Sequence, residues 1–234
     1  MTYLYFVRHA HSTYTSDEFG RPLSERGFVD SLKVTELLIT EKIDIVVSSP
    51  YERAMQTVKG IADYIDTEVE IIEGFKERIL TLVPANDFTL AITKVWDDFQ
   101  FSWKGGESNI IAQKRGLEAT YHVLDKYKDK NIVIGTHGNI MVLIMNFFDK
   151  QYDFSFWKNL DMPDIYKLNF DGRELISVKR LWERSSEQNQ PENTSKNELD
   201  ESETDDSKKK DMPSEESASS TSENCEEDSD DKDD

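Results

Sequence analysis

Short apolar runs alternate with longer amphipathic stretches along the first 180 residues. Residues 3–7 (YLYFV), 43–47 (IDIVV), 69–72 (VEII) and 131–135 (NIVIG) are β-prone runs of strand length halted by polar residues. Such runs suit strands covered on both faces. Ser24 offers an N-cap for a helix to about residue 41, with Leu32, Leu37 and Leu38 among its inward side chains. Ser49-Pro50 reads as an N-cap followed by a first-turn proline, opening a helix to about residue 65. The inward stripe of that helix is Ala54, Val58, Ile61, Ala62 and Ile65. Asp87 can cap a helix bearing Phe88, Ile92, Val95, Trp96 and Phe99, and further helices are expected over residues 110–127 and 139–148. Residues 166–170 and 175–178, separated by Asp171-Gly172, form a hairpin pattern. Strands alternating with helices predict an α/β fold: a three-layer sandwich with a largely parallel central sheet flanked by helices, closed by a C-terminal hairpin.

Composition changes this picture at one place. From residue 185 onward there is no aromatic side chain, and 19 acidic residues face 5 basic ones, so most of the chain's net charge of −19 falls there. A segment with so little apolar surface cannot offset the entropy of ordering it. The expected organisation is a domain over residues 1–184 and a disordered acidic tail over 185–234. That tail repels nucleic acid and is either a solubilising polyanion or a docking arm for a basic protein partner. Cys225 is the single cysteine, which excludes an internal disulfide and a cysteine metal site. The amino-terminal MTYLYFVRH meets charge too early for a signal peptide, and the apolar run around residues 140–148 is too short to span a bilayer. A cytoplasmic location without membrane association follows as an expectation.

The candidate chemistry lies just after the strands. Arg8-His9 follows the first, Ser48-Ser49-Pro50 and then Arg53 follow the second, Glu77 follows the third, and Thr136-His137-Gly138-Asn139 follows the fourth. Parallel sheets bind ligands beyond the carboxyl ends of their strands, so these groups can converge on one crevice. Arginine offers a planar, permanently charged fork for phosphate oxygens. A neutral histidine nitrogen can attack phosphorus when the other ring nitrogen is fixed by a hydrogen bond. A second, protonated histidine can stabilise charge during transfer, and a glutamate can exchange a proton with the leaving oxygen and with water. The helix after His137 could also aim its N-terminus at an anion.

Arg8-His9-Ala10-His11-Ser12 resembles the Arg-His-Gly-Glu-Ser/Thr signature of the histidine phosphatase (phosphoglycerate mutase-like) superfamily. Residues 48–57 (SSPYERAMQT) are similar to its second block and Thr136-His137-Gly138-Asn139 to its last, with Leu23-Ser24-Glu25-Arg26-Gly27 and Gly105-Gly106-Glu107-Ser108 matching two more segments in family order. The resemblance implies a phosphomonoester hydrolase in which His9 carries the phosphoryl group. It further implies that Arg8, Arg53 and His137 complete the phosphate pocket and that Glu77 is the acid/base. Ser12, Thr15 and Asn139 would contact substrate. No cofactor and no metal are implied, and the partner is a small phosphorylated substrate. Two departures are visible: Ala10-His11 stands for Gly-Glu, and Thr15 for an asparagine.

Other readings are distinguishable. Phosphoglycerate mutases of this family carry a longer insertion than residues 12–22 provide. A non-catalytic phosphate-binding scaffold is at odds with the intact set of His9, Arg53 and His137. His9-x-His11 could instead belong to a metal-dependent barrel hydrolase, for which the domain is short. Leu82, Trp103, Phe154 and Trp157 outnumber the nearby basic Lys76, Arg78 and Lys104, so bulky, less charged esters are the expected substrates.

Overall fold

The period-2 pattern of the first strand divides the molecule into two cores. The computed structural model describes residues 1–82 and 87–183; the expected boundary at 184 and the tail beyond it lie outside the described residues. In β1 (Thr2–Arg8), Leu4 and Phe6 point to one face of the sheet and Tyr5 and Val7 to the other. The first face packs against α3 (Phe88–Asp97), α4 (Asn109–Lys126) and α5 (Gly138–Phe148). The second packs against α1 (Glu25–Ile39) and α2 (Glu52–Tyr64). Helix, sheet and helix form the three expected layers.

The remaining strands are β2 (Ile45–Ser48), β3 (Glu70–Ile71), β4 (Asn131–Thr136), β5 (Asp164–Asp171) and β6 (Glu174–Arg180), in the order β3-β2-β4-β1-β5-β6. The pairs β3·β2, β2·β4 and β4·β1 are parallel, whereas β5 and β6 run antiparallel. Register then positions the site. Arg8 lies opposite Thr136 and Ser48 opposite Gly135, so the next residues of the three strands, His9, Ser49 and His137, emerge at one edge. Gly135 permits this closeness, because a Cβ there would lie 2.7 Å from Ser48 Oγ and 3.0 Å from the Ala54 carbonyl oxygen. At the hairpin, Gly172 takes φ +58°, the left-handed conformation that a two-residue turn with Arg173 requires.

Several elements differ from the sequence expectation. Ser24 does cap α1, accepting from the Gly27 amide, but Leu32 and Leu37 are exposed. The buried stripe is Gly27, Asp30, Ser31, Val34 and Leu38, a small-residue seam that leaves the leucines on its flank. Ser49-Pro50 does not open α2: Tyr51 is its N-cap, without a side-chain bond, while the Ser49 hydroxyl accepts from the Tyr51 amide at 3.4 Å and also meets His137. Asp87 caps α3 as expected, yet Phe88 is exposed and Phe99 falls beyond the helix end. A short helix, α6 (Phe154–Lys158), lies where none was expected.

Candidate active site

His9 leaves β1 with its amide bonded to the Thr136 carbonyl at 2.9 Å, which ties it to β4. Its Nδ1 lies 2.8 Å from the Ala10 carbonyl oxygen, and a carbonyl only accepts, so Nδ1 carries the proton. Arg53 Nε donates to His9 Nε2 at 3.3 Å, which requires a lone pair on that nitrogen. One neutral tautomer satisfies both bonds. Burial, followed by the charges of Arg53, Arg8 and Arg21, lowers the imidazole to about 3. The ring is therefore an unprotonated base at neutral pH.

Arg53 is held in the first turn of α2. The Thr57 hydroxyl donates to the Arg53 carbonyl at 2.7 Å and accepts from the Ala10 amide at 3.0 Å, locking helix to strand end. The guanidinium also donates to the Glu18 carbonyl at 2.8 Å and pairs with the Glu18 carboxylate at 3.2 Å. Arg8 donates through Nη1 to the Leu160 and Asp161 carbonyls at 3.2 and 3.0 Å, while Arg180 braces that loop through Asp161 and Asp164. His137 is fully buried, with Nε2 2.7 Å from Ser49 Oγ and its ring edge-on to His9 at 5.2 Å. Burial and the neighbouring His9, Arg53 and Arg8 hold it well below the usual imidazole range.

Glu77 follows the 3-10 turn Glu73–Phe75. Its carboxylate accepts from the Asn139 and Ile140 amides of α5 at 3.0 and 3.1 Å, and from the Arg78 amide at 2.8 Å. The first turn of α5 thus already has its anion, so those two N–H groups serve Glu77 and not an external ligand, as the sequence had suggested. Arg115 fixes this segment, donating to the Gly74 and Lys76 carbonyls at 2.9 and 3.0 Å while clasping Glu107 at 2.9 and 2.7 Å. Gly106 allows the segments around Leu80 and Glu107 to meet, since a Cβ there would lie 2.2 Å from the Leu80 carbonyl oxygen.

These groups surround a pocket of about 450 Å³. Arg8, His9, Ser12, Arg53, Glu77 and Asn139 line it, whereas His137 sits behind its wall. Thr15 is not brought in; its hydroxyl donates to the Asp17 carbonyl within the loop. His11 is exposed and bonds Ser24, so the two histidines of His9-x-His11 diverge and do not form a metal pair. Glu73 pairs with Lys76 outside the pocket. Of the residues expected to make an apolar substrate wall, Trp157 lines the pocket, while Leu82, Trp103 and Phe154 do not. Of the three basic residues expected near the pocket, Arg78 lines it and Lys76 and Lys104 do not, while sequence reasoning missed Glu18, Arg21 and Tyr51. No signal in the sequence marked Glu18, Arg21 or Tyr51 as pocket residues.

A mostly parallel sheet whose carboxyl edge gathers two histidines, two arginines and a glutamate around one pocket defines an α/β protein with an anion site. The model of the histidine phosphatase superfamily (branch 1) matches residues 4–183, and the chain belongs to that superfamily. A Hydrogenobacter thermophilus protein described as putative phosphoserine phosphatase 2 is 35% identical over 82 residues, 33% of this chain. The match spans 40% of that curated relative's length. Among solved structures, phosphoserine phosphatase from Entamoeba histolytica in complex with 3-phosphoglyceric acid aligns with a TM-score of 0.65 at 20% identity, covering 79% of this chain and 98% of that one. A mycobacterial glucosyl-3-phosphoglycerate phosphatase in complex with VO3 gives 0.64 at 18%, covering 78% and 99%. At such identities the likeness is one of fold.

Proposed function

We propose that this chain is a metal-independent phosphomonoester hydrolase that works through a phosphohistidine on His9. The observation carrying this reading is the tautomer of His9: Nδ1–H is committed to the Ala10 carbonyl, which leaves the Nε2 lone pair at the pocket beside Arg53. Nε2 forms a bond to phosphorus as the ester P–O bond breaks, and Glu77 passes a proton, taken up with the substrate, to the departing oxygen. Water then attacks phosphorus, Glu77 takes a water proton, and the P–N bond breaks to restore neutral His9. Arg8 and Arg53 neutralise the phosphoryl oxygens, the service that a metal ion performs elsewhere. His137 starts neutral chiefly because it is buried and secondly because His9, Arg53 and Arg8 lie near it; a bound dianion offsets those charges and makes its protonation during transfer less costly. Ser12 and Asn139 are the polar contacts of the pocket wall, while Thr15 would need loop movement to join them.

The relatives named above are described as acting on phosphoserine and glucosyl-3-phosphoglycerate, which supports a small phosphorylated substrate here. Hydrolysis is preferred to mutase transfer, because the short 12–22 segment leaves the phosphohistidine open to water. Division into a catalytic domain over residues 1–184 and an acidic tail with a basic protein partner belongs to the same reading. So does a cytoplasmic setting, in keeping with a single cysteine; no helix among the described residues is long and apolar enough to cross a membrane.

The test is His9→Ala. Wild-type protein should release phosphate from p-nitrophenyl phosphate after chelator treatment, and acid-labile phosphate should be trapped on it. His9→Ala should lose both, with turnover reduced by about four orders of magnitude or more. Near-normal turnover in the variant, or restoration by metal of activity lost to chelator, would reject the mechanism.

A further inference from the structure

The indole nitrogens of Trp96 and Trp103 have acceptors: Asn139 Oδ1 at 3.3 Å and the Ala91 carbonyl at 3.0 Å. Trp157 differs. It lines the pocket, yet its Nε1 is buried with no hydrogen-bond partner among the described residues. Arg8 Nε is in the same condition, although Nη1 of that guanidinium donates to the Leu160 and Asp161 carbonyls. A buried N–H without an acceptor costs free energy, and native proteins seldom leave one idle without a use for it.

The two idle donors border one space. A Cβ built on Gly138 would lie 3.2 Å from Arg8 Nε and 3.3 Å from Trp157 Nε1, so both nitrogens flank the room that this glycine leaves open. Gly138 also lines the pocket and directly follows His137. Packing fixes the indole there: its ring stacks on Phe154 at 5.5 Å and 14°, and Phe154 stacks in turn on Trp96 at 5.8 Å and 22°. The turn after α6 supplies the carbonyls that hold Arg8, so one short segment sets both donors. We infer that Trp157 is a catalytic residue whose Nε1–H, together with Arg8 Nε, donates to a non-bridging oxygen of the phosphoryl group. This rests on the hydrolase reading. The space shared with Arg8 assigns the contact to the phosphoryl group and not to the variable remainder of the ester. It gives Trp157 a polar task where the sequence suggested an apolar wall. A neutral N–H adds a fixed donor without adding charge, which suits a pocket already lined by Arg8, Arg53 and Arg21.

The test begins with full-length protein and inorganic phosphate, because binding needs no turnover. Four tryptophans give four indole N–H signals in an NMR spectrum, and Trp157→Phe identifies one of them. That signal should move saturably on titration with phosphate, and again with vanadate. Replacing the Trp157 indole by benzothiophene puts sulfur where the N–H was and keeps the stacked ring. It should raise the phosphate Kd and the vanadate Ki by about 10-fold or more and lower kcat/KM by about 10- to 100-fold, the range for a hydrogen bond to a charged group. The same factor is expected for p-nitrophenyl phosphate and for glycerol 2-phosphate, since the phosphoryl group is common to both. A loss confined to the aryl ester would make Trp157 a wall for the leaving group and overturn the assignment. So would wild-type behaviour of the benzothiophene protein, or an indole signal that stays in place at saturating phosphate. If no ester is hydrolysed but phosphate still moves the signal, the hydrolase reading fails and the contact stands. If calorimetry finds no phosphate binding, both fail.

Discussion

His9 links the chemistry of the site to the stability of the domain. Its ring is neutral because it is buried among arginines, which lower it from an ordinary 6.5 to about 3. Between those values the unfolded chain binds a proton that the native chain does not. Stability is therefore fully present above about pH 6.5 and is lost as the pH falls toward 3. One such imidazole contributes a slope of up to about 1.4 kcal/mol per pH unit in that window. Urea unfolding of wild-type protein between pH 7 and 5 should show the decline, and His9→Ala should show it less steeply by about that amount. His137 shifts in the same direction and keeps part of the slope in the variant. Parallel curves for the two proteins would mean that His9 is charged in the native state. At this scale the sequence was informative where a residue adjoins a strand end, as Arg8, His9 and His137 do. It was uninformative where a loop decides the outcome: nothing in the letters turns Thr15 away from the pocket onto Asp17 or sets Glu18 on Arg53.

Elements bring a second function to Glu77. Its carboxylate caps α5 by accepting from Asn139 and Ile140, so substitution acts on folding as well as on the proton transfer proposed for it. Glu77→Ala should cost about 1–2 kcal/mol in urea unfolding, the usual loss for a removed cap. Glu77→Gln keeps one acceptor oxygen and should recover a good part of that stability, while turnover stays low in both. Turnover restored in Glu77→Gln would make Glu77 a positioning residue and remove it from proton transfer. Caps of this kind explain which helices could be read beforehand. Ser24 and Asp87 bond amides three residues on, an interaction contained in a few letters. Ser49 lies two residues before the cap position; its hydroxyl accepts from the Tyr51 amide and meets His137, a contact far along the chain that no short window of letters contains. The five residues of α6 carry too little periodicity to be seen.

For the whole molecule, the acidic segment offers a clean subtraction. Removing residues 185–234 should leave turnover and Tm nearly unchanged, because that stretch has few apolar groups with which to dock. A fall in Tm beyond about 4 °C, roughly 1 kcal/mol for a domain of this size, would mean that it packs on the domain. The strand order has a different consequence, one that concerns biosynthesis. β1 leads into His9, yet both of its neighbours, Asn131–Thr136 and Asp164–Asp171, are translated much later. At about 5–20 residues per second, the segment that ends in His9 waits on the order of 10–30 s for the last of them. Through that interval an apolar strand with two open edges leaves the ribosome with nothing to pair against. The central place that makes this strand the best-protected part of the finished sheet makes it the most vulnerable part of the nascent chain.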